Sequence, residues 1–345
     1  MNTVVLTGAT GVFGKFLVDE LLKKPLKIVL LVRANSQKEA EKRVKNLVSK
    51  SPNRFSVFQC DLTKEDLGLG ENEYLKLIKD TTHILHAAAS TRFTLPLDEA
   101  RRNNVDTTKV LLGFAKKCSN LKRFGFIGTA FVAGKRTGII LEDEFKHNKG
   151  FLNTYEESKY EAESLVRTKL NKLPIIILRP SLIITPYQKA GHNPVSALTL
   201  SLFLARKGFL PILPGNENGT LDVINGTLAS QAIVSILLKK NVQHVVYHVT
   251  SAINSPQIKD LITLVEGKSK KKLNIRFCGS MDDFTVELRR ITRFRPDLIA
   301  IYRKTRSFLP ELAFPKTFDN RNLLEELDIQ TFSTNPINEL KSLLK

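Results

Sequence analysis

The sequence predicts an α/β fold: a doubly wound parallel sheet of about seven strands, followed by a smaller and mostly helical C-terminal part. Short apolar runs rich in β-branched residues recur up to residue 250 and are typical of buried strands. Segments with apolar residues at helical spacing separate those runs, as in strands joined by crossover helices. With 345 residues, 42% of them hydrophobic, the chain is long enough to bury one large core and a second, smaller one.

Each element follows from one of these patterns. The predicted strands are residues 3–6, 27–32, 55–60, 82–89, 123–127, 174–181 and 245–250. The predicted helices are residues 15–24, 36–48, 101–118, the segment opening at 153–159, 195–205 and 228–239.

Composition narrows the class of protein. No stretch of 18 apolar residues occurs, so we expect no membrane span. The first strand begins two residues after Met1, from which we expect a cytoplasmic chain without a leader and without an attached carrier or adenylating domain. The cysteines Cys60, Cys118 and Cys278 show no paired spacing, which suits a reducing compartment and predicts no metal site.

The net charge of +19 leaves several interpretations open. Basic residues can attract nucleic acid, an anionic membrane surface or acidic substrates, or they can simply form a solvated lysine-rich surface. The basic residues are scattered through the chain, and no nucleic-acid motif accompanies them. Nucleic acid is therefore the partner that the sequence favours least.

The segment between the first strand and the first helix has glycines at three-residue spacing, Gly8, Gly11 and Gly14. Such glycines permit a tight turn and let the backbone approach a pyrophosphate, which the N-terminus of the following helix attracts. A second strand follows on schedule, so the pattern predicts a Rossmann dinucleotide site. The expected contacts in this turn are Gly8, Thr10, Gly11, Val12, Phe13 and Gly14.

The second strand ends in Arg33 rather than in an acid. An acid at this place would bind the ribose 2′-hydroxyl of NAD, whereas a guanidinium matches a 2′-phosphate. Arg33, with Arg43 and Lys15 as helpers, therefore predicts NADPH. The alternative is a surface arginine at a strand end.

Two further strand ends are expected to touch the cofactor. Asp61 could accept a hydrogen bond from the adenine amino group while Leu62 packs on the ring; alternatively, Asp61 only forms a turn. After the fourth strand, the small residues Ala87 and Ala88 let the backbone lie against the cofactor. His86, within that strand, is interpreted as a packed structural residue.

The candidate catalytic residues are Thr129, Tyr155 and Lys159. Tyr155 and Lys159 lie four residues apart on one helix face, so a phenol proton donor has an ammonium beside it. Lysine can lower the pKa of the phenol and hold the nicotinamide ribose, and Thr129 can donate to a developing oxyanion. Pro180 and Ser181, at the end of the sixth strand, are expected to meet the nicotinamide carboxamide.

These motifs give the chain a resemblance that covers nearly its whole length. It resembles the extended short-chain dehydrogenase/reductases, and within them the branch of thioester reductase domains and fatty acyl-CoA reductases. The carrying segments are residues 7–14, 31–34, 60–63, 128–134, 153–159, 178–181, 221–225 and 318–322. Gly128 stands where the branch often has serine, and residues 222–225 follow its usual pattern loosely.

The resemblance implies NADPH-dependent reduction of an acyl thioester, bound to CoA or to an acyl carrier protein, to an aldehyde or alcohol. Two alternatives stay open: an NADP(H)-dependent reductase or epimerase of a sugar nucleotide or of another carbonyl or alcohol, and an NADPH-binding sensor without chemistry. The intact catalytic set speaks against the sensor. The resemblance also implies Arg33 at the 2′-phosphate and Asp61 and Leu62 at the adenine.

The expected division is an NADP-binding domain at residues 1–185, completed by about 221–252, and a substrate domain at 186–220 and 253–345. Residues 195–215 are expected to form an acyl-pocket wall or lid, or simply a core helix.

Between Lys268 and Arg306 twelve residues are basic and four are acidic. That tract suits a carrier's acidic helix, CoA phosphates or an anionic bilayer, or is a solvated face. We expect a monomer or homodimer, cytoplasmic or peripheral to a membrane.

Overall fold

The computed structural model describes residues 1–185, 197–306, 308–327 and 335–343. The strands in these residues, in chain order, are β1 (Thr3–Thr7), β2 (Lys27–Arg33), β3 (Phe55–Cys60), β4 (His83–His86), β5 (Arg123–Ile127), β6 (Gly138–Ile140), β7 (Ile175–Pro180), β8 (Leu182–Ile184), β9 (Ile212–Pro214), β10 (Val223–Asn225), β11 (Val246–Val249), β12 (Arg276–Cys278) and β13 (Lys316–Phe318).

The helices connect these strands on both faces of the sheet. They are α1 (Val12–Leu22), α2 (Gln37–Val48), α3 (Glu71–Asp80), α4 (Leu97–Arg101), α5 (Thr107–Lys117), α6 (Thr154–Arg167), α7 (Ala197–Arg206), α8 (Gly226–Leu238), α9 (Ile258–Ser269), α10 (Met281–Phe294), α11 (Asp297–Thr305), α12 (Arg321–Glu326) and α13 (Pro336–Leu343). A π-helical turn, Arg102–Asp106, joins α4 to α5. Short 3₁₀ turns include Ala130–Ala133 and Leu309–Ala313.

The main sheet confirms the predicted doubly wound parallel sheet. Seven strands pair in the order β11-β7-β5-β4-β1-β2-β3, and every pair is parallel. Every residue of β1, β4, β5 and β7 is buried, because helices cover both faces. The strand order reverses between β1 and β4, and ligands of open α/β sheets bind at such a reversal, beyond the carboxyl ends of the strands.

A separate apolar cluster lies in the C-terminal half. It gathers side chains from α7, α9, α10, α11 and the 3₁₀ turn Leu309–Ala313 around the parallel pair β9–β12. The predicted substrate domain at 186–220 and 253–345 overlaps this cluster. Residues 186–196, 307, 328–334 and 344–345 lie outside the described residues, and the domain division stays a prediction.

Two predicted elements differ most from the structure. The fourth strand ends at His86 rather than at Ala89, because the amide of Ala88 donates to the Thr7 hydroxyl at 3.1 Å instead of to a strand backbone. The helix predicted at 101–118 begins earlier, at Leu97, and contains the π turn. Helix α7 is described from Ala197, so the predicted start at 195 lies outside the described residues.

Short strand pairs outside the main sheet were not predicted. β6 pairs with β13, β8 with β10, and β9 with β12, each over three residues. Three residues are too few for an alternating pattern to be visible in the sequence. Among the described helices, none combines the length and the apolar character that crossing a membrane requires.

Candidate active site

The glycine turn is closed by backbone contacts that exclude side chains. Gly8 has a φ of +79°, and a Cβ there would lie 2.6 Å from the carbonyl carbon of Ala87 and 2.7 Å from the amide nitrogen of Ala88. A Cβ on Gly14 would lie 2.1 Å from the carbonyl oxygen of Gly8. Gly11 closes the turn by donating its N–H to the same Gly8 oxygen at 3.0 Å. The predicted residues Gly8, Ala87 and Ala88 therefore do meet.

The N-terminus of α1 lacks a side-chain cap. Gly11, which follows Thr10, is the N-cap residue. Neither an acid in the first turn nor a capping hydroxyl accepts from the first N–H groups of the helix, those of Val12 and Phe13. By contrast, Ser36 caps α2 and Asn153 caps α6 with a side-chain acceptor. The N–H groups at this positive helix end have no side-chain acceptor, and the glycines below them have no Cβ to block a ligand. Both features fit a dinucleotide pyrophosphate.

At the adenosine end, Arg33 is exposed and donates to the Asn103 side chain at 3.1 Å. Arg43 donates to the Arg33 carbonyl, so the two guanidinium groups lie at one strand end. Asp61 accepts hydrogen bonds from the Thr63 amide at 3.0 Å and hydroxyl at 2.6 Å, and these bonds lower its pKa. Asp61 thus forms a turn with Thr63, and its predicted contact with the adenine stays a prediction.

The adenine contacts stay predictions. Leu62 is 8% exposed and packs into the apolar cluster beneath β2 and β3. Because the Asp61 side chain is partly exposed and Leu62 is nearly covered, the aspartate is the better placed of the two to meet a base.

The three catalytic candidates meet at the carboxyl ends of β5 and β7. Thr129 follows β5, caps the 3₁₀ turn Ala130–Ala133, and donates to the carbonyl oxygen of Pro180 at 3.5 Å. Tyr155 lies in the first turn of α6, where Thr129 is close enough to lower the pKa of its phenol. Lys159, one turn further on, donates to the carbonyl oxygen of Ile127 at 2.8 Å. The sequence prediction that these residues share one place is therefore consistent with the structure.

Burial sets the protonation of this pair. It raises the pKa of Tyr155 to about 12, although the Thr129 hydroxyl acts in the opposite direction. Burial lowers the pKa of Lys159 to about 8, and the nearby Glu163 opposes that change. The Lys159 ammonium also lies over the Phe126 ring, 4.4 Å from its centroid. At neutral pH the phenol is therefore a protonated donor beside a cation.

The first turn of α6 is fixed from both sides. Asn153 accepts from the Glu156 amide at 3.0 Å, and the Glu156 carboxyl accepts from the Leu152 amide at 3.0 Å. Phe93 packs on the Tyr155 ring with centroids 5.6 Å apart. This reciprocal capping holds Tyr155 in place.

Sequence reasoning missed a buried charge network behind α6, the helix that carries Tyr155 and Lys159. Glu163 accepts from Arg179 at 2.6 and 3.0 Å and from Arg167 at 2.9 Å. Arg179 and Glu163 are both fully buried, and Arg179 also contacts His248 at 3.1 Å. An arginine inside the apolar strand run 174–181 was the signal for such a partner, since a buried charge needs a counter-ion.

Sequence reasoning also assigned no role to Asn104. The π turn directs this buried amide to Ser158 at 2.9 Å and to the Ser90 carbonyl at 3.2 Å, and the Ser90 amide donates back at 2.7 Å. It thereby ties the loop after β4 to α6. π turns occur often at functional sites, but their position is not visible in a sequence.

Two other buried titratable side chains, His86 and Asp222, form hydrogen bonds within the protein. His86 lies between the hydroxyls of Thr7 at 2.8 Å and Thr108 at 3.1 Å, and burial lowers its pKa to about 3. Asp222 accepts from the amides of Ser251 and Ala252 at 2.9 and 3.0 Å, and burial raises its pKa to about 6 although these bonds act in the opposite direction. In the described part of the chain, no three His, Cys, Asp or Glu residues are grouped as metal ligands.

The fold and the glycine turn are those of an extended short-chain dehydrogenase/reductase, which binds a nicotinamide cofactor. Residues 6–233 match the model of an NAD-binding family described as male sterility protein, and the chain belongs to that family. A fatty acyl-CoA reductase of Drosophila melanogaster, wat, is 28% identical over 268 residues. The match covers 66% of this chain, and the chain spans about half of that relative, 50%.

Solved structures show the same fold. The terminal R domain of the myxalamid PKS-NRPS biosynthetic pathway aligns with a TM-score of 0.80 at 22% identity, over 100% of this chain and 90% of its own. A thiolation-reductase di-domain from an archaeal non-ribosomal peptide synthetase aligns with a TM-score of 0.73 at 16% identity, over 99% and 74%.

Proposed function

We propose that the protein is an NADPH-dependent reductase of acyl thioesters. The observation that carries the proposal is the meeting of Thr129, Tyr155 and Lys159 beside a glycine turn that fits a pyrophosphate. The names of the similar proteins support the thioester: one relative is a fatty acyl-CoA reductase, and one structural neighbour is a thiolation-reductase di-domain.

Bound NADPH would supply the hydride. The residues of the chain would do the rest: Tyr155 donates its phenol proton to the oxygen that becomes negative at the reacting carbonyl. Thr129 orients that phenol and offers a second hydroxyl, and Lys159 stabilises the phenolate that forms and can hold a ribose hydroxyl. Loss of the thiol then gives an aldehyde, and a second reduction gives an alcohol.

The choice of NADPH over NADH rests on Arg33. Its guanidinium lies exposed at the end of β2, with Arg43 held at the same place. Two cations at this point favour a 2′-phosphate over a hydroxyl. Lys15, the third predicted helper, lies exposed on the first turns of α1.

The acyl group is proposed to bind in a substrate domain formed by residues 186–220 and 253–345. Its support is a largely apolar cavity between α7, α9 and the turn Leu309–Ala313, lined among others by Ser201, Leu202, Leu261 and Leu312. The acyl carrier is CoA or a carrier protein. The protein would work in the cytoplasm, as a monomer or homodimer, and its three cysteines are buried and free of disulfides.

The test is an NADPH-oxidation screen over acyl-CoAs, carrier-bound acyl thioesters and free aldehydes, with identification of the product. Tyr155→Phe should abolish turnover and leave NADPH binding intact, because only the proton donor is lost. The matched control is Tyr160→Phe on the same helix, whose ring stays stacked on Phe145 at 4.4 Å. No oxidation with any acyl thioester, or full activity of Tyr155→Phe, would contradict the proposal.

A further inference from the structure

Helix α10 presents a basic outer face that nothing in the reaction uses. Phe284, Leu288 and Ile291 point inward to the C-terminal apolar cluster. At the complementary helical positions, the outer face consists of Val286, Arg289, Arg290, Arg293 and Phe294, all of them exposed. We call these five residues the α10 face.

Two of its apolar side chains are unusually accessible. Val286 is 67% and Phe294 82% exposed, and Ile299, one turn into α11, is 46% exposed. Exposed apolar side chains on the same helix face as arginines give that face both an apolar and a charged means of contact. Val286 and Phe294 lie eight residues apart on α10, about 12 Å along the axis, with the arginines between them.

The charge of this region is strongly positive and largely unneutralised. From Val286 to Arg306 the sequence has seven basic residues and two acidic ones. The two acids are already engaged, Glu287 with Arg276 and Arg290, and Asp297 with Arg295 at 2.7 Å. Among the residues that the structure describes, Arg289 and Arg293 form no ion pair.

We infer that the α10 face binds the surface of an anionic lipid bilayer. Arginines flanking an exposed aromatic combine electrostatic attraction to anionic headgroups with insertion of apolar side chains at the acyl boundary. The face is the convex outside of one helix, which suits a planar bilayer.

The test is co-sedimentation of the full chain with vesicles of phosphatidylcholine alone or mixed with phosphatidylserine. We expect binding to the mixed vesicles only, weakening as salt screens the charges. Arg289→Gln with Arg293→Gln should lower the partition coefficient by about 25-fold, about fivefold for each arginine. Phe294→Ser should lower it by about tenfold, through lost apolar insertion rather than charge.

The matched control is Lys42→Gln with Lys45→Gln, which removes the same charge from the exposed side of α2. It should bind mixed vesicles like the unaltered chain. All variants are at exposed positions, and circular dichroism checks their folding; if the arginine variant fails to fold, Phe294→Ser carries the test.

Absence of binding to mixed vesicles would overturn the inference. So would an equal loss in the α2 control, which would mean attraction by net charge alone. A purified acidic acyl carrier protein is the third arm: if it binds through Arg289 and Arg293 while vesicles do not, the α10 face is a protein-docking surface. NADPH oxidation is not a readout here, so the result is independent of the proposed reaction.

Discussion

Replacing Glu163 with glutamine should destabilise the protein much more than replacing Glu161, two residues away on the same helix. The Glu163 carboxylate is the counter-ion of Arg179, and both side chains are buried, with exposures of 0% and 1%. Removing one partner of a buried ion pair costs about 3–5 kcal/mol, because the other charge stays uncompensated. Glu161 pairs with Arg101 at 2.6 Å, but these side chains are 31% and 41% exposed.

A pair as exposed as that of Glu161 contributes at most about 1 kcal/mol. For a chain of 345 residues, the average unfolding entropy corresponds to about 1.4 °C of melting temperature per kcal/mol. We therefore expect Glu163→Gln to lower Tm by about 4–7 °C and Glu161→Gln by no more than about 1.5 °C, measured by calorimetry. Equal shifts for the two variants would refute the reasoning.

The same variant has a second, chemical readout. Glu163 opposes the effect of burial on Lys159, so its loss should lower the pKa of Lys159 further below about 8. The alkaline side of the activity profile should then move to lower pH. Adding Arg179→Met to Glu163→Gln should recover part of the stability, since neither charge is left alone.

Three further predictions concern the cofactor site and the pH dependence of stability. Arg33→Ser should lower kcat/KM for NADPH by about 10- to 150-fold and leave NADH nearly unaffected, because a charged hydrogen bond to the 2′-phosphate is lost; equal losses for both cofactors would contradict the assignment. Gly14→Ala should abolish NADPH binding in a calorimetric titration, since its Cβ would lie 2.1 Å from the Gly8 oxygen, whereas Gly113→Ala, with nothing within 4 Å, should bind normally and gain up to about 1 kcal/mol of stability. Burial raises the pKa of Glu142 from 4.5 to about 7, so the folded state binds more protons in that window and the free energy of unfolding should fall as pH rises through it. A Glu142→Gln variant should lack this contribution; an unchanged slope in denaturant titrations would rule it out.

The sequence predicted the parts of the fold that depend on local patterns. Strands β3 and β5 begin and end where their apolar runs do, at 55–60 and 123–127, because turn-forming and charged residues bound those runs. The glycine turn was equally predictable, since only glycine tolerates the close approach at Gly8 and Gly14.

What could not be predicted depends on contacts between distant residues. The partner of Arg179 lies 16 residues away on a helix, and nothing in the sequence distinguishes Glu163 from the other acids of α6. Whether the Asp61 carboxylate forms a turn depends on Thr63, two residues further on. The Thr63 hydroxyl has several possible partners, and the sequence does not say which one it takes. Whether Phe294 is exposed also depends on tertiary packing, because the helical pattern alone would equally allow its side chain to be buried.

The strand pair β6–β13 bears on how the protein is made. β6 and the buried Glu142 belong to the loop between Thr129 and Tyr155, yet their partners are residues 316–318 and the amide of Asn322, which is 180 residues later in the chain. The glycine turn, by contrast, is closed by Ala87 and Ala88, which are translated long before residues 316–318. During synthesis β6 therefore has to wait for nearly the last segment before it can pair. The glycine turn can be complete well before the loop between Thr129 and Tyr155 is held in place.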